Sequence, residues 1–138
     1  MENMNIYSKV EPGKLLHIIN RKCDREVGRT DIVPPDQFIQ CASLILDKDV
    51  TFRAHKHIER QREEMYIPQE SWVVISGSVH VKLYDLDDTR IWEAILMPGD
   101  ISITLAGGHN YIILEDGTEV LEFKTGKYTG QENDKVFI

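Results

Sequence analysis

The residues with the clearest chemical potential are two histidines, His55 and His57, separated by a single residue. On a β-strand, residues i and i+2 point to the same side, so the two imidazoles would lie about 7 Å apart at a rise of roughly 3.3 Å per residue. Two imidazoles that face one space can bind a single divalent metal ion. A His-x-His pair also occurs by chance, and two exposed polar side chains are the alternative interpretation.

Glu70 and His109 are two further candidate site residues. Glu70 directly precedes the apolar segment around Trp72, and a buried carboxylate needs a partner, which a metal ion, Arg53 or a backbone donor would supply. Gln69 would replace Glu70 as a ligand if the strand shifted by one residue, because such a shift exchanges the two faces. We expect His109 to be a pocket residue.

Three neighbours of these residues would share their faces. Arg53, two residues before His55, could hold a carboxylate or a diphosphate, or it could form a structural salt bridge. Tyr111 could donate a proton to a substrate, or it could be a core tyrosine with a satisfied hydroxyl. Trp72 should face inward, either as a core residue or as a platform for a substrate.

Short β-strands are the elements that must position these residues. Runs with period-2 alternation are separated by Gly, Pro and Asp turns, and this pattern is typical of a β-sandwich or barrel. Helix evidence is confined to the charged segment 58–65, which has no apolar face and could equally be a surface loop. We predict strands at 40–46, 50–57, 72–84 with a break at 76–78, 91–97, 101–105, 109–114 and 120–124.

Length and charge narrow the class of protein. The chain has 138 residues, which suits one domain, and its formal net charge of -7 is the opposite of the basic footprint of nucleic-acid binders. No apolar run approaches the roughly 20 residues of a membrane helix, and the first residues do not form a signal peptide. Two cysteines, Cys23 and Cys41, are too few for a disulfide framework, so we expect reduced thiols and a cytoplasmic location.

The order of these motifs resembles that of the cupin superfamily. His55-x-His57 is followed by Glu70 and, seven residues later, Gly77, then by a Pro98-Gly99 turn and by His109. Two features depart from the usual cupin pattern. The segment before Glu70, 58–69, is longer than usual, and a Leu-Ala-Gly-Gly sequence stands where Pro-x-Gly-x-x normally precedes the late histidine.

The resemblance implies an all-β fold, a small double-stranded β-helix (jelly-roll) barrel. The whole chain, 1–138, would be a single cupin domain with its barrel core at about 40–124 and an N-terminal arm at about 1–39. The resemblance also implies the ligands of a divalent metal ion, Fe, Mn, Ni or Zn. These ligands would be His55, His57, Glu70 and His109.

A narrower resemblance concerns small uncharacterised cupin proteins of surface-polysaccharide biosynthesis. The matching segments are 52–57, 69–74, 108–111 and 128–131. The setting of those proteins implies a small-molecule ligand, and nucleotide-sugar chemistry in particular.

Three functions remain open at this point. The first is a metal-dependent enzyme that acts on a small molecule such as a sugar nucleotide, with Arg53 and Trp72 binding the substrate. The second is a metal-free sugar isomerase or epimerase in which His55 or His57 is the base and Tyr111 the acid. The third is a non-catalytic protein that senses a ligand or a metal.

We expect neither a nucleic-acid nor a membrane partner, but we do expect a homodimer. Small barrels have exposed edge strands, and a second copy commonly covers such edges. The N-terminal segment 1–20 is the candidate pairing arm.

Overall fold

The computed structural model describes residues 4–57, 68–126 and 135–138, apart from the side chains of His57 and Lys135. Nearly all regular structure in these residues is β-strand. The strands are β1 (Met4–Tyr7), β2 (Leu15–Ile19), β3 (Gly28–Asp31), β4 (Ile39–Leu46), β5 (His55–His57), β6 (Glu70–Ser76), β7 (Val79–Tyr84), β8 (Arg90–Leu96), β9 (Ile101–Thr104), β10 (Gly108–Ile113), β11 (Thr118–Thr125) and β12 (Lys135–Phe137), and a 3-10 turn covers Lys22–Asp24.

Two five-stranded antiparallel sheets pack together, which confirms the predicted all-β jelly-roll class. Sheet I has the strand order β3-β4-β11-β6-β9, and sheet II has the order β12-β5-β10-β7-β8. Both sheets contribute to the core between them. Its buried side chains are Leu44, Trp72, Val74, Val79, Val81, Leu96, Tyr111, Ile113 and Val120. Within the described ranges, no helix is long and apolar enough to cross a membrane.

Period-2 alternation predicted most strands correctly. In β7, Val79 and Val81 are buried while His80 and Lys82 are partly exposed. The predicted strand 50–57 was wrong over most of its length. Only 55–57 forms a strand, and Thr51 makes an isolated bridge to sheet II. The segment 58–65, a candidate helical turn, lies outside the described residues.

The sheets extend beyond the predicted core of 40–124. Strand β3 adds an edge to sheet I through its pairing with β4, and β12 adds an edge to sheet II through its pairing with β5. The N-terminal arm predicted at 1–39 therefore divides into two parts. Strands β1 and β2 pair with each other as a separate two-stranded sheet, while β3 belongs to the barrel.

The turn between β6 and β7 depends on Gly77, whose φ is +80°. A Cβ at this position would lie 2.9 Å from the Cα of Thr118 and would also collide with that residue's hydroxyl. Gly117 also has a positive φ, of +70°, but a Cβ there would meet open space. A substitution at Gly117 would therefore meet backbone strain alone, whereas one at Gly77 would meet both backbone strain and a steric collision.

We expect Gly77→Ala to lower the free energy of unfolding by about 2 kcal/mol or more, and Gly117→Ala by about 1 kcal/mol. The larger loss at Gly77 arises because the methyl group meets the backbone of β11 as well as an unfavourable φ. Urea unfolding of both variants would measure the difference. Equal losses would show that the contact with Thr118 relaxes freely.

Candidate metal centre and cavity

Three of the four predicted metal ligands lie together inside the barrel. His55 and His109 are direct partners in the antiparallel pairing of β5 with β10, and Glu70 reaches the same point from β6 in the opposite sheet. The two Nε2 atoms are 3.3 Å apart, and Nε2 of His109 is 3.8 Å from Oε2 of Glu70. All three side chains are buried. The described part of the chain thus brings together two imidazoles and a carboxylate.

Hydrogen bonds on the far side of each ring orient the two imidazoles. Nδ1 of His55 lies 3.0 Å from the carbonyl oxygen of Arg53, which can only accept, so Nδ1 is the donor in this contact. In the neutral ring Nε2 then presents a lone pair toward the cluster. Nδ1 of His109 lies 2.9 Å from the hydroxyl of Thr104, which can accept in the same way. Such outer partners fix the ring of a metal-binding histidine.

The geometry of the cluster suits a divalent metal ion. Two nitrogens bound at about 2.0–2.1 Å to one tetrahedral ion stand about 3.4 Å apart, close to the observed separation. Imidazole nitrogens and a carboxylate oxygen are also donor types that Zn and other divalent transition metals accept. The donor atoms of His55, Glu70 and His109 all lie within 4.8 Å of one another. The backbone of His57 belongs to β5, but its side chain lies outside the described residues.

A cavity of about 430 Å³ opens beside the cluster. Its volume is at the smaller end of the roughly 300–1,000 Å³ of small-molecule sites. Sheet I supplies most of its wall, and β5 and β10 supply His55 and Tyr111. The lining residues are Arg29, Asp31, Val33, Pro35, Gln40, Leu44, Phe52, His55, Glu70, Trp72, Tyr111, Glu122 and Lys124.

Trp72 and Tyr111 form a stacked pair in the wall of this cavity. Their ring centroids are 3.9 Å apart and their planes differ by 3°. The Tyr111 hydroxyl donates to Oγ of Ser102 at 3.2 Å, and burial raises the pKa of Tyr111 well above its ordinary value. Both predicted residues therefore face inward. Tyr111, however, has a satisfied hydroxyl whose proton is held tightly, which is unfavourable for a general acid at neutral pH.

Glu122 is the principal cavity residue that the sequence analysis missed. Its carboxylate is buried and accepts hydrogen bonds from Nε1 of Trp72 at 3.1 Å and from Nη2 of Arg29 at 3.0 Å. Burial, reinforced by the charge of Glu70, raises the pKa of Glu122, and the guanidinium of Arg29 opposes that rise. Its spacing of two from buried Val120 was the available signal, since period 2 places both residues on one face.

Arg53 does not line the cavity, contrary to the expectation that it would share the face of His55. Its side chain is exposed, and its guanidinium lies 4.9 Å from the ring centroid of Phe137. The reason is local. Residues 52–54 are not in a strand, so the alternation that was used to place Arg53 does not apply there.

Comparison with solved structures shows that the chain has the cupin fold. CapF from Staphylococcus aureus, a capsular polysaccharide assembling protein, aligns with a TM-score of 0.64 at 19% identity over 80% of this chain and 31% of its own. Oxalate decarboxylase from Bacillus subtilis aligns with a TM-score of 0.59 at 18% identity over 80% of this chain and 27% of its own. KdgF from Halomonas sp. aligns with a TM-score of 0.55 at 18% identity over 89% of both chains.

These likenesses define the class of protein by its fold. The chain spans less than a third of the CapF and oxalate decarboxylase chains that it resembles. No protein-family model and no curated protein matches the sequence.

The pairing of Arg29 with Glu122 can be tested through stability. We expect Arg29→Met to lower the free energy of unfolding at pH 7 by about 1–3 kcal/mol, because it leaves a buried carboxylate without its cation. The pKa of Glu122 in the folded state is raised above its ordinary value of 4.5, and removing Arg29 should raise it further. An acid with a raised folded-state pKa loses stability as pH rises, so the destabilisation by Arg29→Met should be small near pH 4 and grow toward pH 8.

Denaturant unfolding at several pH values would measure this effect. Adding Glu122→Gln to Arg29→Met should recover most of the loss. Lys14→Met, which removes an exposed ion pair with Glu11, is the matched control and should change stability by less than about 0.5 kcal/mol. A double variant less stable than Arg29→Met alone would contradict the assignment.

Proposed function

We propose that this chain is a metal-dependent cupin-fold enzyme that acts on a small molecule, such as a sugar nucleotide, in polysaccharide biosynthesis. The observation that carries the proposal is the convergence of His55, Glu70 and His109 at the edge of a cavity of small-molecule size. His57 would be the fourth ligand, and the ion would be Fe, Mn, Ni or Zn. A bound divalent ion supplies Lewis acidity that polarises an oxygen of the substrate.

The charges around the cavity favour an anionic substrate once the metal is bound. Among the lining residues, Arg29 and Lys124 are cationic while Asp31, Glu70 and Glu122 are carboxylates, which gives a net charge of -1. A divalent ion changes this charge to +1. The local field then attracts an anion despite the chain's overall charge of -7.

The cross-strand neighbours of Glu70 in sheet I support the binding of such a substrate. Gln40, Lys124 and Glu70 are successive cross-strand partners in β4, β11 and β6, so a cation and an amide follow the metal ligand across the sheet. Arg29 stands at the far side, where its guanidinium also meets Asp31 at 2.9 Å. These donors suit the oxygens of a carboxylate or phosphate group. Trp72 lines the same cavity but is 2% exposed and stacked on Tyr111, so it supports the wall more than it presents a free ring to a substrate.

Two resemblances support the polysaccharide setting. CapF is a capsular polysaccharide assembling protein, and the segments that resemble polysaccharide-biosynthesis cupins include the site residues His55, His57, Glu70 and His109. A cytoplasmic location, which the two cysteines without a disulfide framework favour, fits nucleotide-sugar chemistry.

A metal-free sugar isomerase or epimerase is the second candidate. It would use His55 or His57 as base and Tyr111 as acid. The adjacency of His55 and His109 favours it only if a proton, rather than a metal ion, lies between them. The hydrogen bond from Tyr111 to Ser102 and the raised pKa of Tyr111 weigh against it. A non-catalytic sensor would keep the same cavity without turnover.

Metal content is the direct test. We expect protein purified without a histidine tag, or reconstituted with Fe, Mn, Ni or Zn, to hold about one ion per chain by elemental mass spectrometry. A His55→Ala/His109→Ala variant should lose the ion. His80→Ala is the matched control, since His80 lies in sheet II beside Glu93, outside the cluster. The proposal fails if the reconstituted protein binds no metal, or if the control loses it equally.

Tyr111→Phe separates the two enzyme candidates. If the enzyme depends on metal, the variant should turn over a responsive nucleotide sugar within about tenfold of the unmodified protein, and chelation should abolish turnover. If Tyr111 is the acid of a metal-free isomerase, the variant should lose about 10²–10⁴-fold in rate and chelation should have little effect. Initial rates measured across a panel of nucleotide sugars would decide, and tight binding without turnover would indicate a sensor.

A further inference from the structure

The candidate ligand His55 follows a segment, 52–54, that is not in a strand. Within that segment, the carbonyl oxygen of Arg53 accepts the hydrogen bond from Nδ1 of His55 at 3.0 Å, so the orientation of the imidazole depends on where this carbonyl lies. The next carbonyl oxygen, that of Ala54, accepts a hydrogen bond from the backbone N–H of Ile138 at 3.0 Å. The residue that follows β12 thus holds the segment that orients His55.

Strand β12 also holds the short strand that carries His55. In the described residues, β5 pairs with β10 at two positions and with β12 at three. Phe137 is the direct partner of His55 on one side, and His109 is its partner on the other. β12 therefore supplies more of the pairing that fixes β5 than β10 does.

The aromatic rings of these three partners follow one another across sheet II. The ring centroid of His55 lies 4.9 Å from that of His109, with planes at 86°, and 6.4 Å from that of Phe137, with planes at 76°. The guanidinium of Arg53 lies 4.9 Å from the ring centroid of Phe137, within the range of a cation–π contact. Arg53 is thus connected to His55 twice, through its own carbonyl oxygen and through the ring of Phe137.

Gly108 makes room for the residue that follows β12. A Cβ on Gly108 would collide with Cδ1 of Ile138 and would lie 3.2 Å from the carbonyl oxygen of His55. Gly108 directly precedes the candidate ligand His109 in β10. The side chain of Ile138 therefore packs beside the backbone of both histidine ligands.

We propose that Arg53, Phe137 and Ile138, which we call the β12 clasp, position the imidazole of His55 for metal binding, with Phe137 as the principal positioning residue. This inference rests on the proposed function, in which His55 is a metal ligand. His109 has its own outer partner in Thr104, whereas the outer partner of His55 is a carbonyl outside the strands. The clasp supplies the order that strand pairing does not give this carbonyl. Without it, the imidazole rotates more freely and holds the ion less tightly.

Zn²⁺ affinity, measured by competition with a chromophoric chelator, tests the clasp on the full-length chain. We expect Phe137→Ala to weaken Zn²⁺ binding by about 10–100-fold, the range for losing an outer partner of a metal ligand. Phe137→Tyr, which keeps the ring, should recover most of the affinity. Arg53→Met removes the cation but keeps the carbonyl, so it should weaken binding by about two- to fivefold, and Arg53→Lys should recover most of that loss.

Two variants serve as matched controls. Val136 is 40% exposed and Phe137 is 42% exposed, but Val136 points to the opposite face of β12. Phe123 is 36% exposed and lies on the outer face of sheet I, so Phe123→Ala controls for the loss of an exposed phenyl ring. Val136→Ala and Phe123→Ala should both keep the Zn²⁺ affinity of the unmodified protein.

Several results would overturn the proposal. Phe137→Ala with unchanged affinity is one, and a control variant that loses as much affinity as Phe137→Ala is another. Arg53→Met with increased affinity would show that the guanidinium acts by repelling the ion, and it would remove the Arg53 side chain from the clasp. Arg53 is exposed, so Arg53→Met should fold even if Phe137→Ala does not.

Two spectroscopic readouts separate positioning from a general loss of structure. The visible absorption spectrum of the Co²⁺-loaded protein reports the geometry around the ion, and it should change in Phe137→Ala but not in Val136→Ala. In the metal-free protein, NMR should show that the Nδ1 proton of His55 exchanges with water about tenfold faster or more in Phe137→Ala. If the unmodified protein binds neither ion, the proposed function fails, and equal exchange rates in these two proteins would overturn the clasp.

Discussion

The register of β11 between β4 and β6 determines what both faces of sheet I contain. In the observed register Glu122 and Lys124 face the cavity, while Leu121 and Phe123 face outward. A slip of one residue would exchange the two sets, filling the cavity with apolar side chains and removing its charged wall. The bond from Trp72 to Glu122 opposes such a slip, because it pairs buried polar groups that would otherwise lose their partners.

Polar residues inside the barrel carry a cost in stability that hydrogen bonds offset. The buried set includes His55, Glu70, His109 and Glu122, and each of these has a defined neighbour. The partners come from both sheets, so the register of the strands and the buried polar contacts depend on each other. Thr104 is an example. Strand β9 directs its isoleucines outward and the hydroxyl of Thr104 inward, to the ring of His109. The cavity is therefore polar through the same alternation that leaves the outer face apolar.

The local sequence was sufficient to predict whether a side chain faces the interior wherever that residue lies in a regular strand. The resemblance to cupins implied that Glu70 and His109 would meet, and the structure places them together because each lies in a regular strand and faces the interior. Arg53 was misplaced because residues 52–54 leave the strand conformation. Glu122 was missed because its position depends on cross-strand partners, and a single sequence does not state which of two alternating faces becomes the interior when both carry apolar residues.

The edge strand β9 supports the candidate site through its inward-facing polar residues. β9 contributes to the cavity side through Thr104 and Ser102 and to the outer side through the exposed isoleucines. Among the described strands β9 pairs with β6 alone, so its position is less constrained than that of a central strand. The pairing of β9 with β6 places Thr104 directly opposite Glu70, and the hydroxyl of Thr104 lies 2.9 Å from Nδ1 of His109. One cross-strand pair thus holds a candidate ligand together with the outer partner of a second candidate ligand, so the geometry of the cluster depends on the register of β9 against β6.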